Sequence, residues 1–199
     1  MELAQAIDHF STLSLSGWNG TGWTPNICKG ALVPFDRFIT ERTFGQKKRL
    51  FMTNSHVGTL DQYNVVYVEG AGPYIIGAKN VDVDTGMAVY NNIYLMIHAP
   101  EMCEVIQIDS GVAASGAPMD KTETVIATVH CDRERFSNRN AADQEDMSFA
   151  QVKLTLPNGT VIGADNELRV NGIMYDVKDV DVSLLTVVAY CIKRSATAQ

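Results

Sequence analysis

Alternation of apolar and polar side chains with a period of two runs through most of the chain. It is clearest between residues 168 and 193, LRVNGIMYDVKDVDVSLLTVVAYCIK. The Asn171-Gly172 pair predicts a tight hairpin turn, because these residue types take left-handed dihedrals at little cost. Val180, Val182 and Leu184 then share one face, and residues 185–192 are too apolar for a half-solvated strand. A hairpin feeding a central strand is expected, within a closed or nearly closed sheet.

The same reading predicts strands at 31–38, 49–53, 64–69, 74–78, 89–97, 105–108, 123–131 and 148–156. After the turn at Pro157-Asn158-Gly159 the strand is expected to resume over 160–163. Leu3, Ala6, Ile7 and Phe10 recur at helical spacing and predict one short N-terminal helix, with Glu2 favourably placed at its start. Residues 14–30 carry Gly17, Gly20, Gly22, Pro25 and Gly30 and read as a loop, and so does the charge-rich run 132–147. The expected class is all-β: one or two small antiparallel barrels or sandwiches with a short N-terminal helix and long loops. The irregular run 111–120 is the expected boundary between a β-rich unit over 1–112 and a barrel over 120–194. An internal echo supports two units. Gly72-Pro73-Tyr74 through Val81-Asp82-Val83-Asp84 lies over Gly172-Ile173-Met174-Tyr175 through Val180-Asp181-Val182-Ser183 once one residue is allowed for.

Composition narrows the function classes. The chain has 199 residues, with 16 Lys and Arg against 23 Asp and Glu, a formal charge of -7. That balance disfavours nucleic acid as the principal ligand. Nothing resembles a secretory leader, and no apolar run is long enough for a membrane helix, so no membrane partner is expected. Cys28, Cys103, Cys131 and Cys191 are widely spaced and contain no CxxC pair, so free thiols in a reducing cytoplasm are expected.

Candidate chemistry is sparse. His9, His56, His98 and His130 form no metal-binding spacing, and a cluster of His98, His130, Cys103 and Cys131 would need several coincidences of folding. No G-x-S-x-G elbow or phosphate-cradling glycine loop is present, and Ser55 beside His56 is adjacency in sequence only. The pairs Asp82 and Asp84, and Asp179 and Asp181, read as the wet face of a strand. No catalytic, cofactor or metal residues are therefore expected. Interaction residues are expected among Trp18 and Trp23, which either cap an end of the core or form an aromatic contact surface. The basic residues Arg42, Lys47, Lys48 and Arg49 are the most polarised local charge, and Arg133, Arg135 and Arg139 enrich the second loop.

The carboxyl-terminal third resembles a known family. Residues 125–129, a variable charged loop, residues 150–154, Asp165-Asn166-Glu167-Leu168, residues 172–177 and a closing strand ending at Lys193-Arg194 are similar to the small β-barrel head-completion proteins of tailed bacteriophages. These are also called head-tail joining, stopper or neck proteins. The resemblance implies a non-enzymatic ring of subunits in the virion neck, made in the host cytoplasm. Its implied partners are further copies of itself, a portal or adaptor protein and tail proteins, with packaged DNA nearby. The extra strands before Gly111 depart from a single small barrel and imply a duplicated or decorated relative. A binding module for a sugar or protein, with Trp18, Trp23, Tyr63 and Tyr67 as an aromatic cleft, is the alternative. A hydrolase or metal-dependent enzyme is a further one, with no constellation behind it.

Overall fold

A computed structural model describes residues 13–34, 48–53, 60, 62–79, 92–109, 122–135, 151–183 and 186–194. The expected N-terminal helix, Asp82, Asp84, Arg42, Lys47 and Arg139 lie outside the described residues. The all-β expectation holds throughout what is described. Two compact units divide the chain, Met1–Pro100 and Glu101–Gln199.

The first unit holds β1 (Leu13–Trp18), β2 (Trp23–Pro34), β3 (Lys48–Thr53), β4 (Val65–Val68), β5 (Gly72–Lys79) and β6 (Asn92–His98). They close antiparallel into a barrel in the order β1-β2-β3-β6-β5-β4. The second unit holds β7 (Glu101–Asp109), β8 (Thr122–Arg135), β9 (Val152–Pro157), β10 (Asn166–Val170), β11 (Ile173–Val182) and β12 (Thr186–Lys193). It closes in the order β7-β8-β9-β12-β11-β10. Renumbered from its own first strand, that is the same topology.

The correspondence extends to the pairing of individual residues. In the first barrel Tyr74 pairs with Val66 and His98, and Ile76 pairs with Met96. In the second, Tyr175 pairs with Leu168 and Lys193, and Val177 pairs with Cys191. The ladder is then interrupted at the same step, between Ile76 and Ala78 and between Val177 and Asp179. Leu15 with Val68 matches Cys103 with Val170, and Leu32 with Phe51 matches Arg133 with Leu154. The echo in the sequence is thus one barrel design used twice. The register moves the glycine match: Gly72 is equivalent to Ile173, not to Gly172, because Val68 pairs with Gly72 around three residues whereas Val170 pairs with Ile173 around two. Asn171 and Gly172 have φ of 51° and 76°, as the two-residue turn requires.

Each barrel is filled from its own unit, the first also by Leu60 and Tyr63 from between β3 and β4. Leu15, Cys28, Phe51, Leu60, Tyr63, Val66, Val68, Tyr74, Ile76, Tyr94 and Met96 form the first core. Cys103, Cys131, Leu154, Leu168, Val170, Tyr175, Val177, Ala189 and Cys191 are at the centre of the second. Volume is exchanged between equivalent positions. Where the second barrel has Cys131 near Leu154, the first has Gly30 and the larger Phe51, and a Cβ on Gly30 would lie 2.5 Å from the Phe51 ring. Gly17 likewise lies under the Tyr63 ring, 2.4 Å from where its own Cβ would be.

These close approaches explain a misplaced loop. Residues 14–30 are the β1–β2 hairpin, turned at Asn19, whose side chain accepts from the backbone N–H of Thr21 and Gly22. Gly17 and Gly30 mark close packing inside strands, not chain reversal. The run 132–147 is also corrected at its start: β8 continues to Arg135, and Asp132 is buried. Residues 160–163 do not resume a strand. The division of the chain falls at Pro100, not within 111–120, because β7 pairs with β8 and β10 and completes the second barrel.

Separate chains covering 1–100 and 101–199 are expected each to unfold cooperatively by circular dichroism. A chain covering 112–199, lacking β7, is expected to lose that transition, since its barrel cannot close.

Candidate functional site

One end of the second barrel is built from the starts of β7, β9 and β11 and the ends of β8, β10 and β12. Register places inward-facing Arg133, opposite core Leu154, and Glu101, opposite core Cys131, at this mouth. Arg133 donates from Nη1 to the Tyr175 hydroxyl at 2.9 Å, and its Nη2 lies 3.1 Å from a Glu101 carboxylate oxygen. Asn171, in the β10–β11 turn, donates to the same carboxylate at 3.0 Å. The hydrogen bond with Tyr175 is the main reason Arg133 holds its proton more tightly than an ordinary guanidinium; partial burial opposes it, and the Glu101 charge assists it.

Glu101, Arg133 and Tyr175 line a cleft of about 560 Å³, with Val152, Ile173 and the Tyr175 side chain as its apolar part. Arg135, Gln151 and Lys193 complete the lining. Elsewhere on this barrel Lys153 and Arg169 are paired with Glu134 and Glu104 across neighbouring strands, and Arg194 reaches past β11 to Glu167. Among the described residues, neither Arg135 nor Lys193 has an ion-pair partner. The cleft therefore presents, among the described residues, three cations to one carboxylate, in a chain of formal charge -7.

The sequence-predicted residues separate onto the two barrels. Arg133 and Arg135 share the second mouth. Lys48 and Arg49 start β3 at the positions that Gln151 and Val152 hold in the second barrel. Arg49 is near enough to Tyr74 to favour its ionised form, although burial, the larger effect, raises the Tyr74 pKa. Trp18 and Trp23 pair across the first hairpin with ring centroids 5.1 Å apart, and Trp23 meets Tyr67 edge-on at 5.8 Å. Trp18 also packs beside Val65, Ile75 and Ala99, while Trp23 and Tyr67 remain exposed. Tyr63 leaves the expected aromatic cleft, since it belongs to the first core. Sequence reasoning missed Glu101, Tyr175 and Lys193. The repeated tyrosine was the available signal, because the echo already set Tyr74 over Tyr175.

Cys103, Cys131 and Cys191 converge in the second core as buried free thiols. Among the described residues, no group of three or more His, Cys, Asp or Glu side chains is arranged to hold a metal ion. A hydrogen bond with Cys131 and then burial raise the Cys103 pKa, and burial pushes Cys191 up to about 12. No protein-family model matches the chain, and no curated protein matches it.

The thiols make stability sensitive to alkali. An unfolded thiol ionises near 9.0, whereas Cys191 in the barrel keeps its proton up to about 12. Between those values the unfolded state binds fewer protons, so stability is intact below the window and falls as pH rises through it. Urea midpoints measured across this range are expected to drop, and less steeply in Cys191→Val; parallel curves would show that this thiol is not responsible.

Proposed function

We propose that this chain is a non-enzymatic assembly component, a ring-forming neck protein joining the head of a tailed phage to its tail. The observation carrying the reading is that the residues with the family resemblance, 125–194, fall almost wholly within one small closed six-stranded barrel, the architecture the resemblance implies. The duplicate barrel before it accounts for the added length.

A second surface feature agrees. β8 pairs with β9 only over residues 132–135. From 122 to 131 its pairing among the described residues is with β7 alone. Val125 and Ile126 lie on that stretch, 45% and 44% exposed, where the register with β7 shifts. A strand edge left open among the described residues and carrying apolar side chains is a ready template for another chain, and repeated head-to-tail contacts of that kind close into rings. Negative-stain imaging and mass measurement of the purified protein are expected to show rings of fixed subunit number. Ile126→Lys is expected to reduce them to smaller species with an unchanged circular dichroism spectrum. A strict monomer that never joins a virion rejects the reading.

The Trp18–Trp23–Tyr67 ladder, exposed at Trp23 and Tyr67, favours a second reading, a module that binds a sugar on aromatic rings. Titration with soluble oligosaccharides would then quench tryptophan fluorescence saturably, and Trp23→Ala would abolish the effect. No saturable response to any of them excludes it.

A further inference from the structure

The two barrels act as controls for each other, and the comparison isolates what the second mouth has that the fold does not need. Register makes Leu13 the counterpart of Glu101, through their partners Gly30 and Cys131, and Leu32 the counterpart of Arg133. Leu13 and Leu32 both pack on the first core and plug that end of the barrel with apolar volume. At the same inward positions the second barrel carries an ion pair whose side chains are only 19% and 29% exposed. A partly buried pair loses much of its attraction to desolvation, and apolar residues of similar size commonly do as well or better. The barrel design therefore closes without these charges. Their presence, with Arg135 and Lys193 beside them, calls for a ligand.

We infer that the mouth of the second barrel is a binding site for a short acidic peptide segment of a partner protein. Arg133 is held in place by Tyr175 and Glu101, so its guanidinium is oriented before a ligand arrives, which lowers the ordering cost of binding. Arg135 and Lys193 supply further positive charge for carboxylates, and Gln151 supplies donor and acceptor groups for a peptide backbone. Val152, Ile173 and the Tyr175 ring provide apolar surface for an intervening side chain.

Nucleic acid fits less well. A polyphosphate has no use for that apolar surface and would approach a chain of formal charge -7 along its whole length. A short peptide meets mainly the local field.

The test uses the full chain and a fluorescein-labelled peptide of alternating Glu, Asp and Leu, followed by anisotropy at low salt. Saturable binding is expected, with no binding of the same peptide carrying Gln and Asn for Glu and Asp. The double variant Arg135→Ala/Lys193→Ala is expected to lose about ten-fold or more in affinity, as removal of charge-assisted contacts implies. The variant Glu101→Leu/Arg133→Leu copies the plug of the first barrel, so it is expected to melt no lower than the parent while binding weakens by a similar factor or more. Peptide affinity unchanged in both double variants, equal binding of the neutral peptide, or tighter binding of single-stranded DNA of matched charge would each overturn the assignment.

Discussion

Closure of each sheet on itself is the constraint on which the rest of this protein depends. The closing contact is made between the first and fourth strands of each unit, Leu15 with Val68 in one and Cys103 with Val170 in the other. No local propensity makes these contacts, since each joins strands far apart in sequence. They are secured by the period of two: a slip of β4 by one residue would turn Val66 and Val68 out of the first core together, and a slip of β5 would do the same to Tyr74 and Ile76. The same closure leaves no room for extra atoms where strands crowd, which is why Gly17 and Gly30 are inside strands and why the larger Phe51 accompanies the missing side chain of Gly30. The shared interruption after Ile76 and after Val177 fits the same demand, because a bulge bends and twists a strand where a small barrel must turn.

Once a closed barrel is secured, its ends can vary. The core positions tolerate exchange of Leu15 for Cys103, Tyr94 for Ala189 and Met96 for Cys191 provided that volume is balanced elsewhere. At the mouth the exchange is of a different kind, from two leucines to a carboxylate and a guanidinium. Tyr175 reconciles that pair with the core. Its ring packs among apolar neighbours while its hydroxyl accepts from Arg133, so the charge is satisfied at the depth where desolvation would otherwise weigh most. Tyr74 holds the same place in the first barrel, tilted against His98 at 5.0 Å between ring centroids.

Much of the fold was legible because strand period and turn chemistry are local. The Asn171-Gly172 hairpin, the solvent-facing Asp179 and Asp181, and the repeat around Tyr74 and Tyr175 could all be read from residues near one another. Failures came where a residue's role is set across the sheet. Gly17 reads as punctuation until Tyr63 is known to lie over it, and the start of β7 reads as part of the preceding unit until its partners β8 and β10 are known. The candidate site was half visible. Arg133 and Arg135 stand out in the sequence as charge, but the charged residues that crowd after them read as a loop and hide the end of β8. Glu101, Asn171 and Lys193 come from three other regions of the chain and meet Arg133 and Tyr175 only when the barrel closes.

The central claim is that one barrel register is used twice, and cross-strand contacts between backbone protons measured by solution NMR test it most directly. The account predicts matching sets, with Val66 opposite Tyr74 and Leu168 opposite Tyr175, Ile76 opposite Met96 and Val177 opposite Cys191, and both ladders interrupted one step later. A shift of one residue in either barrel, or an uninterrupted ladder in one of them, would contradict it.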